Sequence, residues 1–298
     1  MTDESQPGPE EDDDEAGTPG IHDVARMTDP DELRGALVRA LRSVDQGRHY
    51  DGEIPRVLRR HYRLAPDAWA GHGRKLQGKY LKRRRNIARA MNRVHLYLPE
   101  LVHGPPCSIL ELSTGHGAIL EVLRHYGHTV LGNDYPNMVS GRRQRPSALF
   151  RSLNDPDFAR EADDYGLPIA ADTAPDWPYR PIIESVGLPM NIFDAGCTPY
   201  PVADGAHDYV LCFQAIEHYC HPRDWMAVVA EMRRIARRGI FILLNPMLPD
   251  LAARPDYAEA FERFRSAMRR HDEGGFRCVG VFVNWGQALG FKLMRIDP

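Results

Sequence analysis

Residues able to do chemistry gather at three places in the chain. The stretch "SILELSTGHGAIL" (108–120) places Glu111 and then Ser113-Thr114-Gly115-His116-Gly117 where a short apolar run gives way to helical spacing. A glycine turn between a strand and a helix is where a doubly wound fold can hold a nucleotide-type ligand on backbone amides. The nicotinamide fingerprint G-x-G-x-x-G is incomplete here, because Leu120 stands at its third glycine position. Asp134 closes a second apolar run and Asp194 a third. Acids at strand ends either cap loops or accept hydrogen bonds from a ligand. The last grouping is "FQAIEHYCH" (213–221), with Phe213, Gln214, Glu217, His218, Cys220 and His221. Zinc motifs usually offer better separated pairs and a fourth ligand, so no metal site is expected there. Glu217 and His218 either open a helix or transfer a proton.

The elements that must position these residues follow from periodicity. Short apolar runs at 109–112, 129–132, 190–193, 209–213 and 240–244 read as strands. The segment 118–126 reads as a helix ending at Gly127. A second, at 225–237, carries Val228, Val229, Met232 and Ile235 on one face and stops before Gly239. Strand and helix alternating at this rhythm predict an α/β fold with a doubly wound, Rossmann-like, mostly parallel sheet. Ahead of it, residues 21–104 read as an N-terminal helical layer. One helix starts at Thr28-Asp29-Pro30, with Leu33, Leu37, Leu41 and Val44 at helical spacing. Another covers 74–98, with Leu76, Tyr80, Ile87, Met91 and Val94 as its inner stripe. Residues 105–298 then form one domain with insertions at 136–188 and 247–274. Both insertions leave from carboxyl ends of strands and either form a lid or patch the core. They hold Tyr165, Trp177, Tyr179, Tyr257 and Phe261, candidate walls for a second-substrate pocket.

Composition narrows the setting. The 298 residues contain no apolar run long enough to span a bilayer, so no membrane segment is expected. No apolar signal-type core stands at the N-terminus, and five cysteines form no Cys-x-x-Cys pair, which together predict a reduced, cytoplasmic setting. Residues 1–20 hold eight acids and no base, a composition that predicts a disordered tail. Between Arg56 and Arg93 the bias reverses, with Asp67 the sole acid among many bases. That block is either a solvated helix face or an attractor of nucleic acid or anionic substrate.

Taken in order, "ILELSTGHG", "HTVLGND" and the stretch from Asp194-Ala195 through "PYPVADGAHDYV" to Glu217-His218 resemble the class I S-adenosylmethionine-dependent methyltransferases, especially the small-molecule branch. The resemblance covers roughly residues 105–246. It implies that Glu111 meets the ammonium of S-adenosylmethionine and that Ser113, Thr114, Gly115 and Gly117 line its methionine part. It further implies that Asp134 accepts from the ribose diol, Tyr135 packs on the adenine, and Asp194 with the Ala195 amide meets the adenine edge. Phe213 and Gln214 would line the methionine side. His218 is the candidate general base, with Glu217 and Tyr135 behind it. The acceptor implied is a small molecule. An RNA or DNA acceptor using the basic 56–93 face is the alternative, as is a non-catalytic partner-binding module.

Two departures stand out. Ser113 occupies the place of the family's usual first glycine. The family's C-terminal hairpin shows only one obvious strand, unless "FRCVGVF" (276–282) supplies the other.

Overall fold

The computed structural model describes residues 29, 53–68, 77–78, 80–134, 179–247, 249–283 and 288–296. The acidic tail, the helix expected after Thr28, Leu76, Tyr135 and most of the first insertion, including Tyr165 and Trp177, lie outside the described residues.

The sheet is built from β1 (Ser108–Leu112), β2 (Thr129–Asp134), β3 (Met190–Ile192), β4 (His207–Phe213), β5 (Ala236–Leu243), β6 (Asp272–Glu273), β7 (Phe276–Val283) and β8 (Leu289–Arg295). Their order is β3-β2-β1-β4-β5-β8-β7-β6. Neighbours from β3 to β5 run parallel, whereas β8 pairs antiparallel with both β5 and β7. The expected doubly wound, mostly parallel sheet is present, and 276–282 does supply the missing hairpin strand. β1 sits at the centre with Ile109, Leu110 and Leu112 fully buried, which explains why it reads as unbroken apolar sequence.

Helices cover both faces. On one side lie α1 (Arg83–Tyr97), α2 (Pro99–His103), α3 (Ala118–His125) and α4 (Arg180–Val186). Ile87, Met91 and Val94 face inward from α1 at helical spacing. Three arginines in the first turn of α1 oppose the helix dipole. Arg83 offsets this by forking onto the Glu121 carboxylate of α3, a buried pair that locks the two helices together.

On the other side lie α5 (Trp225–Ile235) and, after the short α6 (Pro249–Ala252), α7 (Pro255–Arg269). Tyr257, Phe261, Phe264 and Met268 of α7 are buried, with Phe264 edge-on to Trp225 at 5.0 Å. This part of the second insertion patches the core. Tyr257 and Phe261 are therefore core residues and not the walls of an open pocket.

One boundary differs from expectation. The helix ends at Ile235 and β5 starts at once, at Ala236, four residues before the apolar run. Pairing with β4 overrides the helical preference of the two arginines, since Ala236 pairs with His207 and Arg237 bonds Asp208 at 3.0 Å. Gly239 does not stop a helix. It admits the Tyr209 ring, which would lie 2.5 Å from any Cβ there.

Candidate functional site

The carboxyl ends of β1, β2, β3 and β4 lie side by side, at the point where the strand order reverses, and this is where doubly wound sheets hold ligands. After β1 the chain turns through Ser113 (φ 53°), Gly115 (φ 56°) and Gly117 (φ 76°), all in the left-handed region. Gly117 then caps the start of α3. A Cβ added at Gly115 would meet nothing within 4 Å among the described residues. Thr114 anchors the turn from below: its hydroxyl donates to the Glu111 carbonyl at 3.0 Å and accepts from the Asn133 amide at 3.2 Å.

Ser113 carries a side chain in this backbone region, which is strained. Its amide donates to the Asn133 side-chain oxygen at 3.5 Å. Gln214, directly after β4, is the other non-glycine residue with positive φ (54°) among the described residues. Its side-chain oxygen accepts from Arg93 of α1, its carbonyl accepts from Asn245 at 2.9 Å, and its amide donates to Leu243 at 2.6 Å.

Three acids face this edge. Glu111 is 3% exposed, and its Oε2 has no hydrogen-bond partner among the described residues. Burial pushes its carboxyl well above the ordinary range; Arg93 pulls the other way, and Asp134 adds to the rise. A buried carboxylate oxygen without a donor is suited to a ligand that brings a cation. Asp134 is buried at the end of β2, where its Oδ2 accepts from the Gly115 amide at 3.1 Å. Asp194 follows β3, accepts from the Gly196 amide at 2.8 Å, and is pushed up to about 6 by burial. Ala195 is held beside it by the Tyr200 hydroxyl, which donates to the Ala195 carbonyl at 2.6 Å. The structure thus brings together Glu111, Ser113, Thr114, Gly115, Gly117, Asp134, Asp194, Ala195, Phe213 and Gln214.

Glu217 and His218 lie on a single 3-10 turn, Ile216–His218, and not on a longer helix. The Glu217 carboxylate accepts from the backbone and side-chain amides of Asn245, and burial raises it to about 7. It ties the ends of β4 and β5 together. His221 accepts from the Arg223 amide at 3.2 Å and caps the next turn, and burial lowers its pKa. Above the glycine turn, His116 lies 6.1 Å from Tyr80, which in turn packs on Tyr179 at 4.8 Å.

Sequence reasoning missed three contributors. Arg93 was hidden among the bases of 56–93, yet it turns inward over the Phe213 ring at 5.9 Å. Asn245 follows β5 with no motif around it. Asn133 is buried and donates to the Phe193 and Asn191 carbonyls at 2.8 and 3.1 Å, latching β2 to β3. A polar residue inside an apolar strand, next to Asp134, was its one visible signal.

No protein-family model and no curated protein matches this sequence. Solved structures do. Magnesium protoporphyrin IX methyltransferase from Synechocystis PCC 6803, with bound SAH, is 12% identical over 88% of this chain and 99% of its own, with a TM-score of 0.42. A SAM-dependent methyltransferase from Aquifex aeolicus is 16% identical over 68% of this chain and 93% of its own, with a TM-score of 0.36. A ribosomal protein L11 methylase from Lactobacillus delbrueckii subsp. bulgaricus is 10% identical over 71% of this chain and 79% of its own, also at 0.36. The sheet order, with its antiparallel end, is that of the class I methyltransferase fold. Magnesium protoporphyrin IX and ribosomal protein L11, which two of these names specify, are chemically unlike.

Proposed function

We propose that this protein is an S-adenosylmethionine-dependent methyltransferase acting on a small-molecule acceptor. The observation that carries the reading is the pairing of Glu111, whose buried Oε2 lacks a donor among the described residues, with the left-handed turn through Gly115 that the neighbouring Asp134 braces. That edge fits a ligand with a cationic amino-acid end and a nucleoside end. The bound cofactor supplies an already activated sulfonium methyl group. Glu111 holds the ammonium, Asp134 the ribose hydroxyls, and Asp194 with the Ala195 amide the adenine edge. Phe213 and the Gln214 backbone border the methionine side.

Transfer then depends chiefly on alignment and exclusion of water, worth many orders of magnitude in effective concentration. A base is needed only where the acceptor arrives protonated. His218 is our candidate to take that proton on its imidazole. Glu217, with both carboxylate oxygens accepting from Asn245, positions the turn that carries His218. Two bases of the 56–93 block, Arg83 and Arg93, are spent inside the protein, which weakens the case for that block as a continuous nucleic-acid track.

The test has two stages. Calorimetry should show S-adenosylmethionine and S-adenosylhomocysteine binding at micromolar concentration, with NAD not competing. A metabolite mixture incubated with methyl-labelled cofactor should then yield a labelled product of low mass. Absence of cofactor binding at millimolar concentration would sink the proposal, and label appearing only in RNA, DNA or protein would sink its acceptor half.

A further inference from the structure

Away from the strand ends, a cleft of about 470 Å³ opens on the flank of α3. Residues just after the 3-10 turn Arg56–Arg59 bring Arg60, His61 and Arg63 to its wall, and the end of α3 brings Arg124 and His125. The buried Arg83–Glu121 pair also lines it.

The charges in this cleft do not cancel. Among the described residues Glu121 is the one acid lining it, and it is matched by Arg83. Arg124 is occupied by backbone, donating to the Gly187 and Val186 carbonyls at 2.7 and 2.9 Å. Among the described residues, Arg60 and Arg63 have no carboxylate partner, whereas neighbouring Arg59 is held by Glu53 at 2.7 Å. Two arginines without a carboxylate partner among the described residues, and two histidines, therefore line one hollow. Guanidinium forks match the paired oxygens of a phosphate group. The volume is that of a small-ligand site. The cations also converge on a hollow, where a nucleic-acid strand would call for an extended track.

We propose that this cleft is a second binding site, taking the phosphate or pyrophosphate group of a small phosphorylated compound. It is distinct from the strand-end site: Glu121 to His125 lie four to eight residues beyond Gly117, about 6–12 Å along α3. The proposal does not depend on the methyltransferase reading.

The probe is inorganic pyrophosphate, titrated by calorimetry into the full-length protein at about 0.15 M salt, where weak surface attraction is screened. Wild type should bind it, and Arg60→Gln/Arg63→Gln should bind at least tenfold more weakly while melting within a degree or two of wild type. Arg269→Gln/Arg270→Gln, which removes the same charge from an exposed site elsewhere, should bind as wild type does. Equal loss in both double variants would reduce the effect to net charge and overturn the site. So would undiminished binding by Arg60→Gln/Arg63→Gln, or a wild type that ignores pyrophosphate and binds only a single-stranded oligonucleotide.

Discussion

Arg93 of α1 reaches the far end of β4 and donates to the Gln214 side chain, joining residues 121 positions apart. The same guanidinium is the charge that opposes the rise in the Glu111 pKa. The helix ahead of the sheet therefore braces the left-handed turn after β4 and tempers the buried acid beside it.

Removing that guanidinium should disturb both. Arg93→Met should weaken S-adenosylmethionine binding by roughly tenfold or more, since a charged hydrogen bond is worth about 1.5–3 kcal/mol. Arg93→Lys keeps the charge near Glu111 but loses the fork, so it should recover part of the affinity. Calorimetry on both variants, each checked by thermal unfolding, tests this. Unchanged affinity in Arg93→Met would remove Arg93 from the site.

Asp134 is held in place by the Gly115 amide, so its carboxylate is oriented before any ligand arrives. Asp134→Asn preserves shape while removing the charge, and Asp134→Ala removes the acceptors altogether. Each should cost at least roughly tenfold in cofactor affinity, with alanine the worse of the two. A folded Asp134→Ala protein that binds as tightly as wild type would leave the ribose without its assigned partner.

Ser113 keeps a side chain where the backbone is left-handed, which costs about 1–2 kcal/mol. Ser113→Gly relieves that strain and should raise stability in denaturant unfolding by roughly 1 kcal/mol. Ser113→Ala keeps the strain and should stay close to wild type. Equal stabilities for the two variants would mean that strain at this position is negligible.

Glu217 gives stability a pH dependence of unusual direction for a carboxylate. Its pKa rises on folding from an ordinary 4.5 to about 7 because burial disfavours the charge. Between those values the folded state binds more protons than the unfolded one, so stability falls as pH rises through that window. Asp194, raised from 3.8 to about 6, acts in the same sense. His221, whose pKa burial lowers, acts in the opposite sense in both proteins, so the reading is their difference: from pH 4.5 to 8 the melting temperature of wild type should fall relative to that of Glu217→Gln. Parallel curves for the two proteins would show that Glu217 does not titrate in this range.

Much of this architecture was legible in the chain because it is local. Apolar runs bounded by Gly115, Gly127 or Asp134 report strand, turn and helix directly, and the order of those signals specifies a doubly wound sheet. Strand ends in such a sheet converge whatever the intervening sequence does, so Glu111, Asp134 and Asp194 could be placed near one another from pattern alone.

The remainder depended on contacts between distant residues, which no local pattern encodes. Tyr257 and Phe261 look the same in sequence whether they wall a pocket or fill a core, and only packing against Trp225 and its neighbours decided for the core. Arg83, Arg93 and Arg60 share one basic run. The fold sends the first to Glu121 and the second to Gln214, and leaves the third facing a cleft. A side chain's charge is written in the sequence, but the partner that neutralises it, and the water it loses, are fixed only when the chain closes around it.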